Sequence, residues 1–133
     1  MNTINEYQVI IESFAGRHFI RTFAKKYKRA WDATLDFLII EFKFIEALFL
    51  KSTAEYITNK DADIVICKTE FKISGTQESR HGSGNRCIVA VHKNENKVKV
   101  LLVYHKTDLG GGSETGNWKN LIKENYKEYK ELL

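Results

Sequence analysis

The stretch NRCIVAVHKNENKVKVLLVYHK (residues 85–106) decides the fold. Two runs rich in β-branched residues, 85–93 and 97–106, flank Asn94-Glu95-Asn96, the polar kind of short loop that closes a β-hairpin. Upstream, IVICKTEFKIS (64–74) has the same period of two, with Val65, Cys67, Phe71 and Ile73 on one face and Lys68, Glu70 and Lys72 on the other. Three sequential strands with short links predict an antiparallel meander.

The rest of the chain is arranged around that meander. YQVIIES (7–13) reads as a first strand, able to join the sheet at an edge. In the following segment Phe19, Ile20, Phe23, Ala24 and Tyr27 recur at helical spacing. Helix is expected to continue from Trp31 to about Tyr56 with one break, showing a broad apolar face of Leu35, Leu38, Ile39, Phe42, Ile45 and Phe49. The polar turn TNKDAD (58–63) ends it. LGGGSETG (109–116) reads as a loop, and an amphipathic helix runs from Asn117 with Trp118, Leu121, Ile122, Tyr126 and Tyr129 on its apolar side. The order β-α-α-β-β-β-α predicts an α+β domain: a small antiparallel sheet with a helical hairpin packed on one face. The opposite face is expected to stay partly open, with Lys68, Glu70 and Lys72 pointing there.

The 133 residues, 43% hydrophobic and 29% charged, suit a single globular domain over 1–133. The net charge of +4 permits an anionic partner without demanding one. Its distribution is more informative. Arg17, Arg21, Lys25, Lys26, Lys28 and Arg29 crowd residues 14–31, which hold no acid; Arg80, Arg86, Lys93, Lys97, Lys99 and Lys106 face only Glu95 over residues 80–106. Residues 32–63 between them are acidic, with seven Asp and Glu against three Lys. Cys67 and Cys87 stand alone in apolar runs without metal-ligand spacing and read as buried thiols. The start MNTINEYQVII lacks a signal-peptide pattern, and Glu41, Lys43 and Glu46 interrupt the apolar run 37–50 before it reaches the length of a membrane span. A soluble cytoplasmic protein without a membrane partner is expected. GSG (82–84) and GGG (110–112) lack the following Lys-Ser/Thr of a phosphate loop, and no metal or small-molecule cofactor is expected.

RHGSGNR (80–86) places cations on both sides of a pliable link at the entrance to a strand. If Lys72 and Arg86 share the open face, three neighbouring strands can deliver Lys72, Arg86 and either His105 or Lys106 to one surface, beneath a loop carrying Arg80 and His81. The glycines would let that loop approach a phosphodiester closely. Such a cluster suits RNA cleavage by the RNA's own 2′-hydroxyl, which needs a base, an acid and fixed cations. The same residues also fit solvated surface positions. The basic block at 17–29 reads more readily as a solvated helix face than as a nucleic-acid contact.

Several segments in order resemble the RelE-like toxins of bacterial toxin–antitoxin systems. These are a helical pair, KTEFKISG, a glycine-containing loop ending in GNR, CIVAVHKNENK, KVLLVYHKTD and a final helix. RHGSGNR matches the basic, glycine-rich segment of one branch, and YHK (104–106) matches its last-strand ending. The resemblance spans about residues 7 to 130, in order and spacing more than in identity. It implies a metal-independent endoribonuclease that cuts messenger RNA, typically on the ribosome, arrests growth and is inhibited by a cognate antitoxin protein. It also implies that Arg86 and Lys106 are phosphate-binding cations with His105 beside them, and that Lys72 and Lys68 correspond to the family's lysines of the preceding strand. His81 or His105 would transfer protons, and Arg80 would position the backbone. Many active members carry a tyrosine or histidine shortly after the last strand. Here that place holds LGGGSETG, and the next aromatic is Trp118. The same scaffold also serves non-catalytic gyrase poisons and binding modules, and fold likeness does not separate these.

Overall fold

A computed structural model describes residues 5–133. Strand β1 (Gln8–Ile11) leads into a helical turn α1 (Ser13–Ala15), a π-helical segment (Gly16–Ile20) and helix α2 (Arg21–Tyr27). The Arg21 N–H donates to the Gly16 carbonyl five residues back, the spacing that defines the π turn. Helices α3 (Arg29–Lys43) and α4 (Ile45–Leu50) follow, then strands β2 (Ala54–Tyr56), β3 (Ile64–Phe71), β4 (Asn85–His92) and β5 (Lys97–His105). Helix α5 (Glu114–Asn125) and a 3₁₀ segment (Lys127–Leu132) complete the chain. The fold is α+β.

The five strands form one sheet in the order β1-β5-β4-β3-β2. The meander β3-β4-β5 is antiparallel, as the alternation predicts, and β1 joins at the edge, parallel to β5. Opposite Ile88 and Val89 the partners on β5 are Leu102 and Val100, so Leu101 is an extra residue in a bulge. Leu101 and Leu102 consequently both reach the same core.

Two expectations need correction. The long helix does not reach Tyr56. Its one expected break falls at Phe44, between α3 and α4; the helix stops at Leu50, and after Ser52 (φ 56°) the chain forms β2 against β3. Edge pairing satisfies backbone groups that a fraying helix end would leave to solvent. The last helix begins at Glu114, inside the expected loop, because the Ser113 hydroxyl caps it by accepting from the Gly116 N–H.

The two sheet faces are both covered. Val65, Cys67, Phe71, Val89 and Val91 pack beneath α2–α4 with Phe23, Trp31, Leu38 and Phe42. Ile66, Ile88, Ala90 and Leu102 on the reverse face pack against Trp118, Ile122, Tyr126 and Tyr129. The reverse face is therefore closed by α5 and the 3₁₀ segment along most of its length. Three sequence-apolar aromatics of the C-terminal stretch require it, since the helical hairpin already fills the first face. Cys67 and Cys87 are buried and free, and burial pushes the Cys67 thiol up to about 12.

His92 ties the C-terminal segment down. Its Nε2 lies 2.8 Å from the Tyr129 hydroxyl, and burial, followed by the nearby Lys99 charge, lowers its pKa below the ordinary 6.5. A ring that resists protonation when folded gives the unfolded chain the greater proton uptake as pH falls. Its contribution to stability is complete above 6.5 and is lost as pH drops through the lowered folded value. Urea unfolding from neutral pH down to about 5 is expected to show falling stability, with a flatter slope in His92→Gln. An equal slope in the variant would assign the effect elsewhere.

Candidate active site

The entrance of β4 is built around one buried cation. Arg86 is 4% exposed and pairs with Glu70 Oε2 at 3.2 Å. It also donates to the carbonyls of Asn85 (3.1 Å) and His81 (3.4 Å), closing the 80–84 loop over the sheet end. Register explains the pair, since Arg86 lies opposite Glu70 on β3 and opposite Tyr104 on β5. The same Glu70 oxygen lies 2.6 Å from His81 Nδ1. The His81 side chain is 85% exposed, so Glu70 orients an imidazole whose other nitrogen is left to solvent.

A second cluster adjoins it on the same face. Glu114, the first residue of α5, accepts from the Tyr104 hydroxyl at 2.8 Å and pairs with Lys68 at 3.0 Å. Burial would raise the Glu114 pKa, but the hydrogen bonds from Lys68 and Tyr104 outweigh it and hold the carboxyl below its usual range. Burial, followed by the Glu114 hydrogen bond, pushes the Tyr104 phenol far upward, so it remains a donor.

The other expected site residues lie elsewhere. Arg80 crosses to the helix side, where Nη1 meets both Glu41 oxygens at 3.0 and 3.2 Å. Lys72 is exposed and lines the same groove as Arg80. His105 lies opposite Asn85, one residue out of phase with Arg86, and therefore on the helix face. There it borders a hollow of about 140 Å³ with Lys26, Tyr27, Asn85 and Thr107. The two basic blocks thus meet at Lys26 and His105. Lys106 has left the strand; its N–H donates to the Gly84 carbonyl and its side chain is exposed. Arg86, Lys68, Glu70 and His81 converge, whereas His105 does not join them.

Comparisons with family models, curated proteins and solved structures gave no match. The site is accordingly read from its own chemistry. Among the described residues no group of three or more His, Cys, Asp or Glu side chains is arranged to hold a metal ion, and no helix is long and apolar enough to cross a membrane. Sequence reasoning missed Glu70, Tyr104 and Glu114 as members of the cluster. Glu70 was visible by its alternation with Lys68 and Lys72, and its partnership with Arg86 follows once the β3–β4 register is known.

Gly84 is required where it stands. Its φ is +77°, and a Cβ there would lie 2.5 Å from His105 Nε2. Gly84→Ala is expected to cost about 1–3 kcal/mol through backbone strain and to displace the His105 ring. Thermal unfolding and the imidazole NMR signals check this together; an unmoved ring with unchanged stability would contradict the geometry.

Proposed function

We propose that this chain is a RelE-like toxin, an endoribonuclease that cuts messenger RNA without a metal, and that His81 oriented by Glu70 is its proton-transfer group. The carrying observation is the 2.6 Å contact between His81 Nδ1 and Glu70 Oε2 at the mouth of the sheet. A carboxylate that fixes one ring nitrogen sets the tautomer and direction of the other, and imidazole changes charge near neutral pH. Exposed Lys106 and Lys72, which have no carboxylate within ion-pair distance among the described residues, are available for phosphate oxygens. Arg86 acts from within, holding Glu70 and the His81 carbonyl in place. The reaction would pass the 2′-hydroxyl proton to a base as its oxygen attacks phosphorus, and return a proton to the departing 5′-oxygen. A 2′,3′-cyclic phosphate end results.

A non-catalytic binding module is the second reading. It is favoured by the carboxylates that already pair with Lys68, Arg80 and Arg86. Controlled expression with mapping of transcript ends separates the two, since the module arrests growth or binds without message fragments. Purified protein on ribosome-bound message should give new 3′ ends carrying a cyclic phosphate. Intact message under growth arrest would sink the nuclease reading. A cognate antitoxin is the expected protein partner, and the cytoplasm the expected compartment.

A further inference from the structure

Helix α3 carries two apolar faces, and the fold covers only one of them. Trp31, Thr34, Leu38 and Phe42 are buried on the core side. Ala33, Phe37, Ile40 and Phe44 form a second stripe, at spacings of four, three and four residues, the repeat of a helix-pairing seam. Ala33 is exposed, Phe37 and Ile40 are 59% and 55% exposed, and Phe44 at the helix end is half-buried. A groove of about 400 Å³ lies beside Ala33 and Phe37, so the side chains of a facing helix have room to enter. Two large apolar side chains one turn apart in water make a continuous patch, which is the mark of a docking surface.

Charge on the flanks selects the occupant. On the inner flank Thr34 is buried and Glu41 is engaged by Arg80. On the outer flank Asp36 and Lys43 are both exposed and, among the described residues, neither takes part in an ion pair. Seven residues separate them, about 10 Å along the axis, too far to neutralise each other within one helix. Exposed Asp32, one turn before Asp36, adds a like charge that an incoming ammonium relieves.

A second α3 laid antiparallel on the first supplies that ammonium. In the register that sets Phe37 against the partner's Ile40, Ala33 meets the partner's Phe44, small against large. The same register brings Asp36 to the partner's Lys43, because residues of the outer flank face each other when paired helices run in opposite directions. Two-fold symmetry makes each of these pairs occur twice. Parallel pairing would instead set Asp36 against the partner's Asp36 and Lys43 against the partner's Lys43.

We propose that this chain forms a two-fold dimer by antiparallel pairing of α3 with α3 of a second copy, held by Phe37 and Ile40 and put in register by Asp36 and Lys43. The seam lies on the helix side of the sheet, away from Glu70, Arg86 and His81, so the dimer and the nuclease reading stand or fall separately.

Sedimentation equilibrium of the full-length chain tests it. One helix per side makes an interface near the lower end of the stable range, so a dissociation constant on the order of 10 μM is expected. Ile40→Glu places a carboxylate beside the axis in both copies and is expected to weaken the dimer on the order of 100-fold. Because Ile40 is mostly exposed, the variant should fold, with unchanged far-UV circular dichroism. Asp36→Lys and Lys43→Asp each turn both ion pairs into repulsions and are each expected to weaken self-association on the order of 10-fold. An equimolar mixture of those two variants restores both pairs and should dimerise with near wild-type affinity. A wild-type chain that stays monomeric up to about 0.5 mM would overturn the proposal. So would a dimer that Ile40→Glu leaves intact, since its interface lies elsewhere. Charge variants that weaken the dimer singly but fail to combine would overturn the antiparallel register.

Discussion

Replacing Arg86 with alanine is expected to lower the unfolding free energy by about 2–4 kcal/mol. The guanidinium is almost wholly enclosed and serves one carboxylate and two main-chain carbonyls. Its loss leaves the Asn85 and His81 carbonyls without this donor and deprives Glu70 of its buried counter-charge. Truncating a fully buried ion pair costs about 3–5 kcal/mol, and Glu70, one-third exposed, recovers part of this from water. The loss is large beside the roughly 5–15 kcal/mol that holds a domain together. Equilibrium urea unfolding measures it directly. A loss below about 1 kcal/mol would mean that the side chain is not seated where the register puts it. Arg86→Lys keeps the charge but not the fork of donors, so an intermediate loss is expected. It follows that a drop in RNA cleavage by Arg86→Ala, taken alone, would not identify a phosphate ligand. Folding and loop placement fall together with it.

Removing the His81 imidazole is expected to do the opposite. The ring is 85% exposed and its one side-chain contact is to Glu70, so His81→Ala should leave stability within about 0.5 kcal/mol. Cleavage of ribosome-bound message should fall by roughly 10²- to 10⁴-fold, the usual worth of a positioned acid or base. Added imidazole should restore part of the rate, since the cavity left behind opens to solvent. Glu70→Gln keeps shape but loses the charge that aligns the ring, and it also strips Arg86 of its counter-ion. That variant should therefore lose both rate and stability, which separates the orienting carboxylate from the group it orients. Undiminished cutting by His81→Ala would transfer the proton-transfer role elsewhere, with His105 and Lys26 on the helix face the next pair to examine.

The difference between these two variants is a difference of burial, and burial was the part least readable in the chain. Arg86 and His81 are both polar residues in a glycine-containing entrance to a strand, and alternation placed Arg86 on a definite face. It did not say that Tyr104 and Glu114 would stand beside it, or that the 80–84 loop would fold back to enclose it. The carboxylates of Glu41, Glu70 and Glu114 come from three separate elements. Each is adjacent to its cation only after helices and strands have packed.

Local periodicity by itself determined the α+β class, the antiparallel β3-β4-β5 meander, the inward positions Val65, Cys67, Phe71 and Trp118, and β1 as an edge strand. These depend on alternation and helical spacing, which act between near neighbours along the chain. Only tertiary structure decided that Ala54–Tyr56 pairs as a strand, because edge pairing supplies hydrogen bonds that no local propensity encodes. It likewise decided that α5 closes the reverse face, and that Arg80 and His105 turn to the helix side while Arg86, Glu70 and His81 gather on the other. The physical reason is common to all three. Which charges meet, and which are shut from water, depends on contacts between residues distant in sequence, and those contacts exist only once the two apolar faces of the sheet have been covered.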